Sequence, residues 1–385
     1  MSYGSGVPAA AVLLVLWSAS GAPAQDIRRG TLIEDVKCAA DATQSYALYV
    51  PSTYAPDRPW SLLIAFHPGA RGRLMVEKYQ AAAEQYGYIV AGSNTSRNGP
   101  WSVSMAAVQV MSVDLGQRFS IDLERVYLTG LSGGARVAMQ VALGNKIAGV
   151  IASSGGYPDS QPRASVPFPV FGTAGTEDFN YIEMRLLDRK LTSPHHLAIF
   201  SGGHTLPPDD VALEAIEWLE LQAMKTGRRT RDNALVDRLF EKRKQLIAAS
   251  TGSADSVHLL DALVSDFTGL RDVSAEAARA KDLSRQPEIR KALARERADD
   301  DAEARLLEGI FDLEAGLGDE RRHDAALIQL RDRLSRLARA ANAAEPSPAR
   351  NQARRLLRAI PSGAAERLQD SEYRKLLEQY GMRGR

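Results

Sequence analysis

Short apolar runs alternate with helix-length segments along residues 43–226. Seven runs predict strands, and several of them, such as SLLIAF and GVIAS, are continuously apolar; the runs span residues 44–50, 60–66, 88–93, 125–129, 148–153, 168–172 and 197–201. Strands that are buried on both faces of a parallel sheet have this character. The segments between and after them predict five helices, over residues 74–86, 103–117, 134–144, 181–191 and 207–224. The alternation predicts an α/β fold class with a doubly wound, mostly parallel sheet.

A different pattern begins after residue 228. Residues 229–385 are rich in Ala, Leu, Arg, Glu and Asp, and apolar positions recur at helical spacing, as in Leu327, Leu330, Leu334 and Leu337. This pattern predicts an all-α C-terminal module of six or seven helices, either a bundle or a degenerate tetratricopeptide-like array. All four Trp residues precede residue 219. We therefore expect a catalytic α/β domain over residues 25–228 and a helical module over residues 229–385.

The N-terminal residues predict export. Residues 9–17 form an apolar run, and residues 22–24 (APA) are small where a signal peptidase would cut. The run is too short to span a bilayer, which needs about 20 apolar residues. Residues 1–7 contain no Lys or Arg, unlike most signals, and a disordered or buried apolar N-terminus is the alternative. The favoured prediction is a signal peptide over residues 1–24 and a periplasmic or extracellular protein.

Charge and cysteine content exclude several kinds of partner and site. The 48 Lys and Arg residues nearly balance the 47 Asp and Glu residues, for a formal net charge of +1. This balance gives no electrostatic reason to expect a nucleic acid or an anionic membrane as partner. The chain has one cysteine, Cys38, which excludes an internal disulfide, a CxxC redox pair and a multi-cysteine zinc site.

A serine flanked by glycines is the first candidate for catalysis. Residues 130–134 read GLSGG, a G-x-S-x-G motif with a predicted strand before it and a predicted helix after it. In a nucleophile elbow the turn from strand to helix is so tight that the neighbours of the serine must lack bulk, and the strained turn projects the hydroxyl above the sheet. We predict that Ser132 is the nucleophile. The alternative is a glycine-rich turn with a solvent-facing serine.

The candidate base and acid follow the serine along the chain, in the order that this kind of site requires. Of the six histidines, His204 follows the last predicted strand, on the glycine-bearing loop of IFSGGHTLPP. His195 and His196 precede that strand, and a place in a surface loop explains them better. The acid should follow the preceding predicted strand, residues 168–172. We predict that Asp178 is the acid, because its shorter side chain suits a partner on a strand-end loop, and Glu177 is the alternative.

Backbone N–H groups near Ser132 are the candidates for an oxyanion hole. One donor should be the residue after the nucleophile, Gly133. The other should come from the loop after the second predicted strand, which reads HPGARG over residues 67–72; Gly69 and Ala70 are both candidates. Trp101, in the loop SNTSRNGPW, is a candidate for lining the substrate cleft, with a packing role as the equal alternative.

Together these motifs resemble those of the α/β-hydrolase superfamily. The matching stretches are YALYVPSTY, LLIAFHPGARG, RVYLTGLSGGARVA, GTAGTEDFNY and FSGGH, all within residues 43–226. Within the superfamily they are similar to secreted esterases related to polyhydroxybutyrate depolymerases and feruloyl esterases, with dienelactone-hydrolase-like proteins nearby. The resemblance implies a Ser132–Asp178–His204 triad and no metal or organic cofactor. Two stretches, HPGARG and GLSGG, depart from the depolymerase pattern and count against a polymer-specific enzyme.

The sequence therefore predicts a secreted serine hydrolase that cleaves a small-molecule or polymeric carboxylic ester through an acyl-enzyme. Two alternatives stay open. A serine peptidase of prolyl-oligopeptidase-like type shares this core, although no N-terminal propeller or large accessory β domain is predicted. A non-catalytic scaffold or binding protein would act through the helical module, which also offers a surface for a protein partner of an enzyme.

Overall fold

The structure is a computed structural model that describes residues 27–159, 161–250, 253–364 and 370–380. The predicted signal peptide, residues 1–24, lies outside the described residues. No helix within these described ranges is long and apolar enough to cross a membrane.

An eight-stranded sheet forms the centre of the first part of the described chain. Its strands are β1 (Ile33–Lys37), β2 (Ser45–Tyr49), β3 (Trp60–Phe66), β4 (Tyr88–Ser93), β5 (Ile121–Leu131), β6 (Gly149–Ser153), β7 (Val170–Gly175) and β8 (His195–Phe200). They lie in the order β1-β2-β4-β3-β5-β6-β7-β8. All pairs from β4 to β8 are parallel, and β2 runs antiparallel to both of its neighbours. The predicted doubly wound, mostly parallel sheet is confirmed.

Helices cover both faces of the sheet. They are α1 (Gly72–Tyr86), α2 (Trp101–Arg118), α3 (Gly133–Leu143), α4 (Tyr181–Lys190) and α5 (Asp209–Lys225). Alternate residues of β3 enter two apolar clusters. Leu62 and Ile64 pack with residues of α2 and α3 on one face, and Leu63 and Ala65 pack with residues of α1 and α5 on the other. Because side chains alternate across a strand, burial on both faces explains the continuous apolar run in the sequence.

A helical module follows α5. In the described residues it contains seven helices: α6 (Asn233–Ala249), α7 (Ala254–Phe267), α8 (Ser274–Arg285), α9 (Pro287–Gly316), α10 (His323–Ala341), α11 (Pro348–Ala364) and α12 (Ser371–Gln379). One apolar cluster joins α6, α7 and α8 to Leu221 and Met224 of α5. A second cluster joins α9 to α12 and includes the predicted stripe on α10, namely Leu327, Leu330, Leu334 and Leu337. The predicted all-α C-terminal module is confirmed, and its first cluster packs it directly against the α/β part.

The two edges of the sheet differ from the sequence prediction. β1 was not predicted because its sequence, IEDVK, mixes charged with apolar residues and none of its five positions is fully buried. The interpretation of His195 and His196 as surface-loop residues is wrong, because both lie in β8. The His196 side chain is 11% exposed, and its ring stacks on Phe171 of β7 with ring centroids 4.9 Å apart.

Charged side chains surround the largely buried ring of His196, where β8 meets α5, α6 and α7. Its Nε2 atom lies 3.5 Å from Glu214, and its Nδ1 atom lies 3.6 Å from Asp266. Trp218 donates a hydrogen bond of 2.6 Å to Asp266, and Arg243 pairs with Glu214. Burial lowers the pKa of His196, but the Asp266 and Glu214 carboxylates beside its two ring nitrogens outweigh burial and raise the pKa to about 9. His196 is therefore a buried cation at neutral pH.

This buried cation predicts that the protein loses stability as the pH rises. The pKa of His196 is near 6.5 in the unfolded chain and about 9 in the folded chain. Between these values the folded state binds one more proton, so the free energy of unfolding falls with pH, by up to about 3 kcal/mol across the window. The measurement is urea unfolding at pH 6 and pH 9 for the wild type and His196→Gln. An equal fall in both proteins would contradict the assignment.

Candidate active site

Ser132 lies in the turn between β5 and α3 with a strained backbone, at φ 54° and ψ −120°. A positive φ is uncommon for a residue other than glycine, and such residues cluster at functional sites. The turn requires close contact between chain segments. A Cβ on Gly130 would lie 2.2 Å from the carbonyl carbon of Gly134, and a Cβ on Gly134 would lie 2.2 Å from the carbonyl oxygen of Phe66. The glycines are therefore required, and the local geometry is that of a nucleophile elbow.

His204 and Asp178 are in direct contact. Their Nδ1 and Oδ1 atoms are 2.7 Å apart. Asp178 is 0% exposed, and its Oδ1 atom also accepts a hydrogen bond of 2.8 Å from the backbone N–H of Asn180. The His204 ring stacks on Phe179 with ring centroids 3.8 Å apart. The imidazole is thus held on one edge and one face, while a fifth of its side-chain surface stays exposed, at 20%.

The fold brings the three candidate residues to one edge of the sheet. Ser132 follows β5, Asp178 follows β7 and His204 follows β8. These strands are parallel, so their carboxyl ends lie together, where ligands bind in α/β folds. The hydrogen bonds of the described residues do not include one from the Ser132 hydroxyl to His204. Such bonds are often loose in enzymes without substrate.

Glu177, the alternative acid, is paired with a different part of the molecule. Its Oε1 atom lies 2.7 Å from Arg354 and its Oε2 atom lies 3.2 Å from Arg358, both on α11. The hydrogen bond from Arg354 lowers the pKa of Glu177 despite partial burial. Of the two neighbouring carboxylates, Asp178 is therefore the one that contacts His204.

The N–H groups of the predicted oxyanion loop are already in use. The N–H of Gly69 donates to His67 Nδ1 at 2.9 Å, and the N–H of Ala70 donates to the carbonyl oxygen of His67 at 3.1 Å. Burial, with the charge of Arg71, lowers the pKa of His67 and keeps Nδ1 free to accept. Gly133 is the first residue of α3, so its N–H has no partner within the helix. The second donor stays a prediction.

Two residues near the site were not found from the sequence. Phe179 stacks on His204. Its position directly after the predicted acid, Asp178, is the sequence feature that could have indicated it. The amide of Asn98 lies over Gly133, since a Cβ on Gly133 would be 1.8 Å from Asn98 Oδ1. The sequence feature that could have indicated Asn98 is its position in the loop after β4, at the same edge of the sheet as Ser132. Trp101 begins α2 and packs partly against the apolar core, and its role in the cleft stays a prediction.

Comparison with known proteins gives similar structures at low sequence identity. No protein-family model and no curated protein matches the sequence. A thermostable esterase is 20% identical, with a TM-score of 0.37, over 48% of this chain and 61% of that chain. An inhibited esterase B from Lactobacillus rhamnosis is 15% identical, with a TM-score of 0.41, over 53% of this chain and 90% of that chain. An acylaminoacyl peptidase from Pyrococcus horikoshii is 12% identical, with a TM-score of 0.36, over 47% of this chain and 39% of that chain. At identities this low, the activity of this chain has to be judged from its own residues.

Proposed function

We propose that this protein is a serine hydrolase that cleaves carboxylic esters through an acyl-enzyme. Ser132 is the nucleophile, His204 is the general base and acid, and Asp178 orients His204. One observation carries the proposal: the hydrogen bond of 2.7 Å between His204 and Asp178 lies at the same edge of the sheet as a serine held at φ 54°. The alternative, a glycine-rich turn with a solvent-facing serine, explains neither the hydrogen bond between His204 and Asp178 nor the positive φ of Ser132.

The first chemical step is the attack of the Ser132 hydroxyl on the ester carbonyl. Nε2 of His204 accepts the hydroxyl proton, which leaves the ring positively charged. Asp178 accepts the Nδ1–H hydrogen bond, holds the ring in the tautomer with Nε2 unprotonated, and stabilises the imidazolium. Because the Asp178 carboxylate is fully buried, its attraction to the imidazolium is weakly screened by water.

The remaining steps return the proton and release the acid. His204 donates its proton to the leaving alcohol, and the acyl group stays on Ser132. A water molecule, deprotonated by His204, then attacks the acyl-enzyme, and the carboxylic acid leaves. The N–H of Gly133 is one donor to the oxyanion of each tetrahedral intermediate. The second donor is Gly69 or Ala70 if the 67–72 loop releases one of its internal hydrogen bonds. Each such donor contributes roughly 3–4 kcal/mol to transition-state stabilisation.

The substrate and the place of action belong to the same proposal. A neutral ester, either a small molecule or the exposed end of a polymer, suits a chain with a formal net charge of +1. The enzyme acts outside the cytoplasm, as the apolar N-terminal run and its small-residue cleavage site predict. A panel of p-nitrophenyl esters of increasing acyl length, run beside peptide substrates, would separate an esterase from a peptidase.

The direct test of the proposal is covalent labelling with a fluorophosphonate probe. The probe reacts with a serine that an adjacent base activates, so wild type should be labelled and Ser132→Ala should not. The labelled peptide, identified by mass spectrometry, should contain residues 130–134. An unlabelled wild type that is folded by circular dichroism, or equal labelling of Ser132→Ala, would refute the proposal.

A further inference from the structure

We propose that helix α11 of the C-terminal module is a positioning element for Asp178, the carboxylate that orients His204. Three arginines, Arg354, Arg355 and Arg358, hold the two residues that precede Asp178, and they thereby fix the Asp178 carboxylate against His204. The inference rests on the proposed function and adds a role for the helical module in it.

The three arginines contact the acid loop, defined here as residues 176–178, through both backbone and side chain. Arg355 donates to the carbonyl oxygen of Thr176 at 2.6 Å. Arg358 donates to the carbonyl oxygen of Glu177 at 3.0 Å, and Arg354 donates to the Glu177 carboxylate at 2.7 Å. Residues four apart on a helix share a face, which explains how two of them reach one carboxylate. Contacts to carbonyl oxygens fix the backbone from which the Asp178 side chain projects.

Arg355 is itself rigidly held, which separates this arrangement from a surface ion pair. It is 8% exposed, and its guanidinium donates to both carboxylate oxygens of Glu303 on α9, at 2.8 Å and 2.5 Å. The same guanidinium lies over the ring of Tyr181, 4.1 Å from its centroid. Tyr181 is the first residue of α4. A planar guanidinium with two parallel hydrogen bonds has a defined orientation, so the donor to Thr176 points in one direction.

The acid loop is joined by short backbone contacts to the base loop, defined here as residues 202–204. The N–H of Glu177 donates to the carbonyl oxygen of Gly202 at 2.7 Å. A Cβ on Gly175 would lie 2.5 Å from the same oxygen, so the two loops touch there. Arg358 also reaches the base loop, since a Cβ on Gly203 would lie 3.2 Å from its guanidinium. A displacement of the acid loop is therefore transmitted to His204, the next residue.

A second set of ion pairs joins the module to α4 without touching the acid loop. Arg185 pairs with Glu296 at 2.6 Å, and Arg189 pairs with Asp301 at 2.8 Å. Both carboxylates are on α9. These pairs cross the same interface as the α11 contacts, but they hold a helix rather than the loop. They provide a matched control for the arginines of α11.

The test compares Arg354→Gln/Arg358→Gln with Arg189→Gln in the full-length chain. All three substitutions remove a guanidinium from the same interface, and thermal unfolding of each protein reports the cost in stability. Small misplacements of catalytic groups are expensive in rate, so the α11 double variant should lose about tenfold or more in kcat on a p-nitrophenyl ester, with KM within about threefold. The acidic limb of its pH profile should move to lower pH, because a displaced Asp178 stabilises the imidazolium less. Arg189→Gln should keep the wild-type kcat and pH profile.

A double-mutant cycle isolates the contact with the acid loop. Glu177→Gln and Arg354→Gln remove the two halves of one ion pair. If the pair acts through loop position, the double variant should lose no more kcat than the larger single loss, because the second substitution breaks a contact that is already gone. Independent effects that multiply would contradict the proposal.

The outcomes separate this proposal from the proposed function. If wild type is not labelled at Ser132 and has no esterase activity, the proposed function fails. If wild type is labelled and active, and the α11 double variant keeps the wild-type kcat and pH profile, the positioning role alone is overturned. It is also overturned if Arg189→Gln loses kcat to the same extent, since both losses then follow from module docking in general.

Discussion

Replacing Ser132 by alanine is expected to lower kcat for ester hydrolysis by about 10⁵- to 10⁶-fold, the largest effect predicted for any single substitution here. The loss is large because the whole covalent route through the acyl-enzyme needs the hydroxyl oxygen. What is left comes from the oxyanion donors and from substrate binding, which act without the nucleophile. The measurement is steady-state kinetics on a p-nitrophenyl ester, with active-site titration to exclude wild-type contamination.

The Ser132→Ala variant should fold normally. The Ser132 side chain makes no capping hydrogen bond to α3, and alanine has the same Cβ at the strained φ. The matched control is Ser154→Ala. Ser154 is also a serine at positive φ, 53°, and it follows β6 at the same edge of the sheet. A loss of activity in Ser154→Ala equal to that in Ser132→Ala would contradict the assignment of the nucleophile.

The second large effect is expected from Asp178→Asn, with a loss of about 10⁴-fold in kcat. Asparagine has nearly the same shape, so the geometry should persist. If its NH₂ group takes the place of Oδ1, it donates to Nδ1 of His204 and favours the tautomer in which Nε2 is protonated, and the hydrogen bond from the Asn180 N–H is lost. That tautomer cannot accept the Ser132 proton. The negative charge that stabilises the imidazolium is lost as well. The measurement is kcat and kcat/KM from pH 5 to pH 10.

The control for this prediction is the neighbouring substitution Glu177→Gln. It removes the same charge one residue away, but Glu177 faces Arg354 and Arg358 rather than His204. We expect a loss of about tenfold from it, through loop position. A loss in Glu177→Gln that equals or exceeds the loss in Asp178→Asn would show that the acid is misassigned. The comparison therefore decides between the two carboxylates that the sequence left open.

Much of the fold could be predicted from the sequence because the strands of a doubly wound sheet are buried on both faces and are therefore continuously apolar. The apolar runs at residues 60–66 and 88–93 match β3 and β4 to the residue. β1 escaped prediction because an exposed edge strand needs few apolar residues. His196 was misinterpreted for a related reason. The positive charge of His196 is compensated by Asp266 of α7 and Glu214 of α5. Both residues are distant from His196 in sequence, so no local pattern predicts this environment.

The candidate chemistry could be predicted from the sequence alone. Ser132, Asp178 and His204 each follow a predicted strand. Because parallel strands have their carboxyl ends at one edge of the sheet, the sequence predicts that these residues lie at the same edge. The glycines around Ser132 are likewise predictable, because the tight turn leaves no room for a Cβ at those positions. Constraints of this kind depend on a short stretch of chain, so a short stretch of sequence is enough to predict them.

The tertiary structure was needed to show which carboxylate contacts His204 and which residues the helical module contacts. Asp178 and Glu177 are adjacent in sequence, but their side chains leave the loop in different directions, one toward His204 and the other toward α11. The contact between Arg354 and Glu177 joins residues 177 positions apart. Contacts over such separations depend on how the helical module packs against the sheet, and that packing is set by apolar clusters and ion pairs drawn from the whole chain.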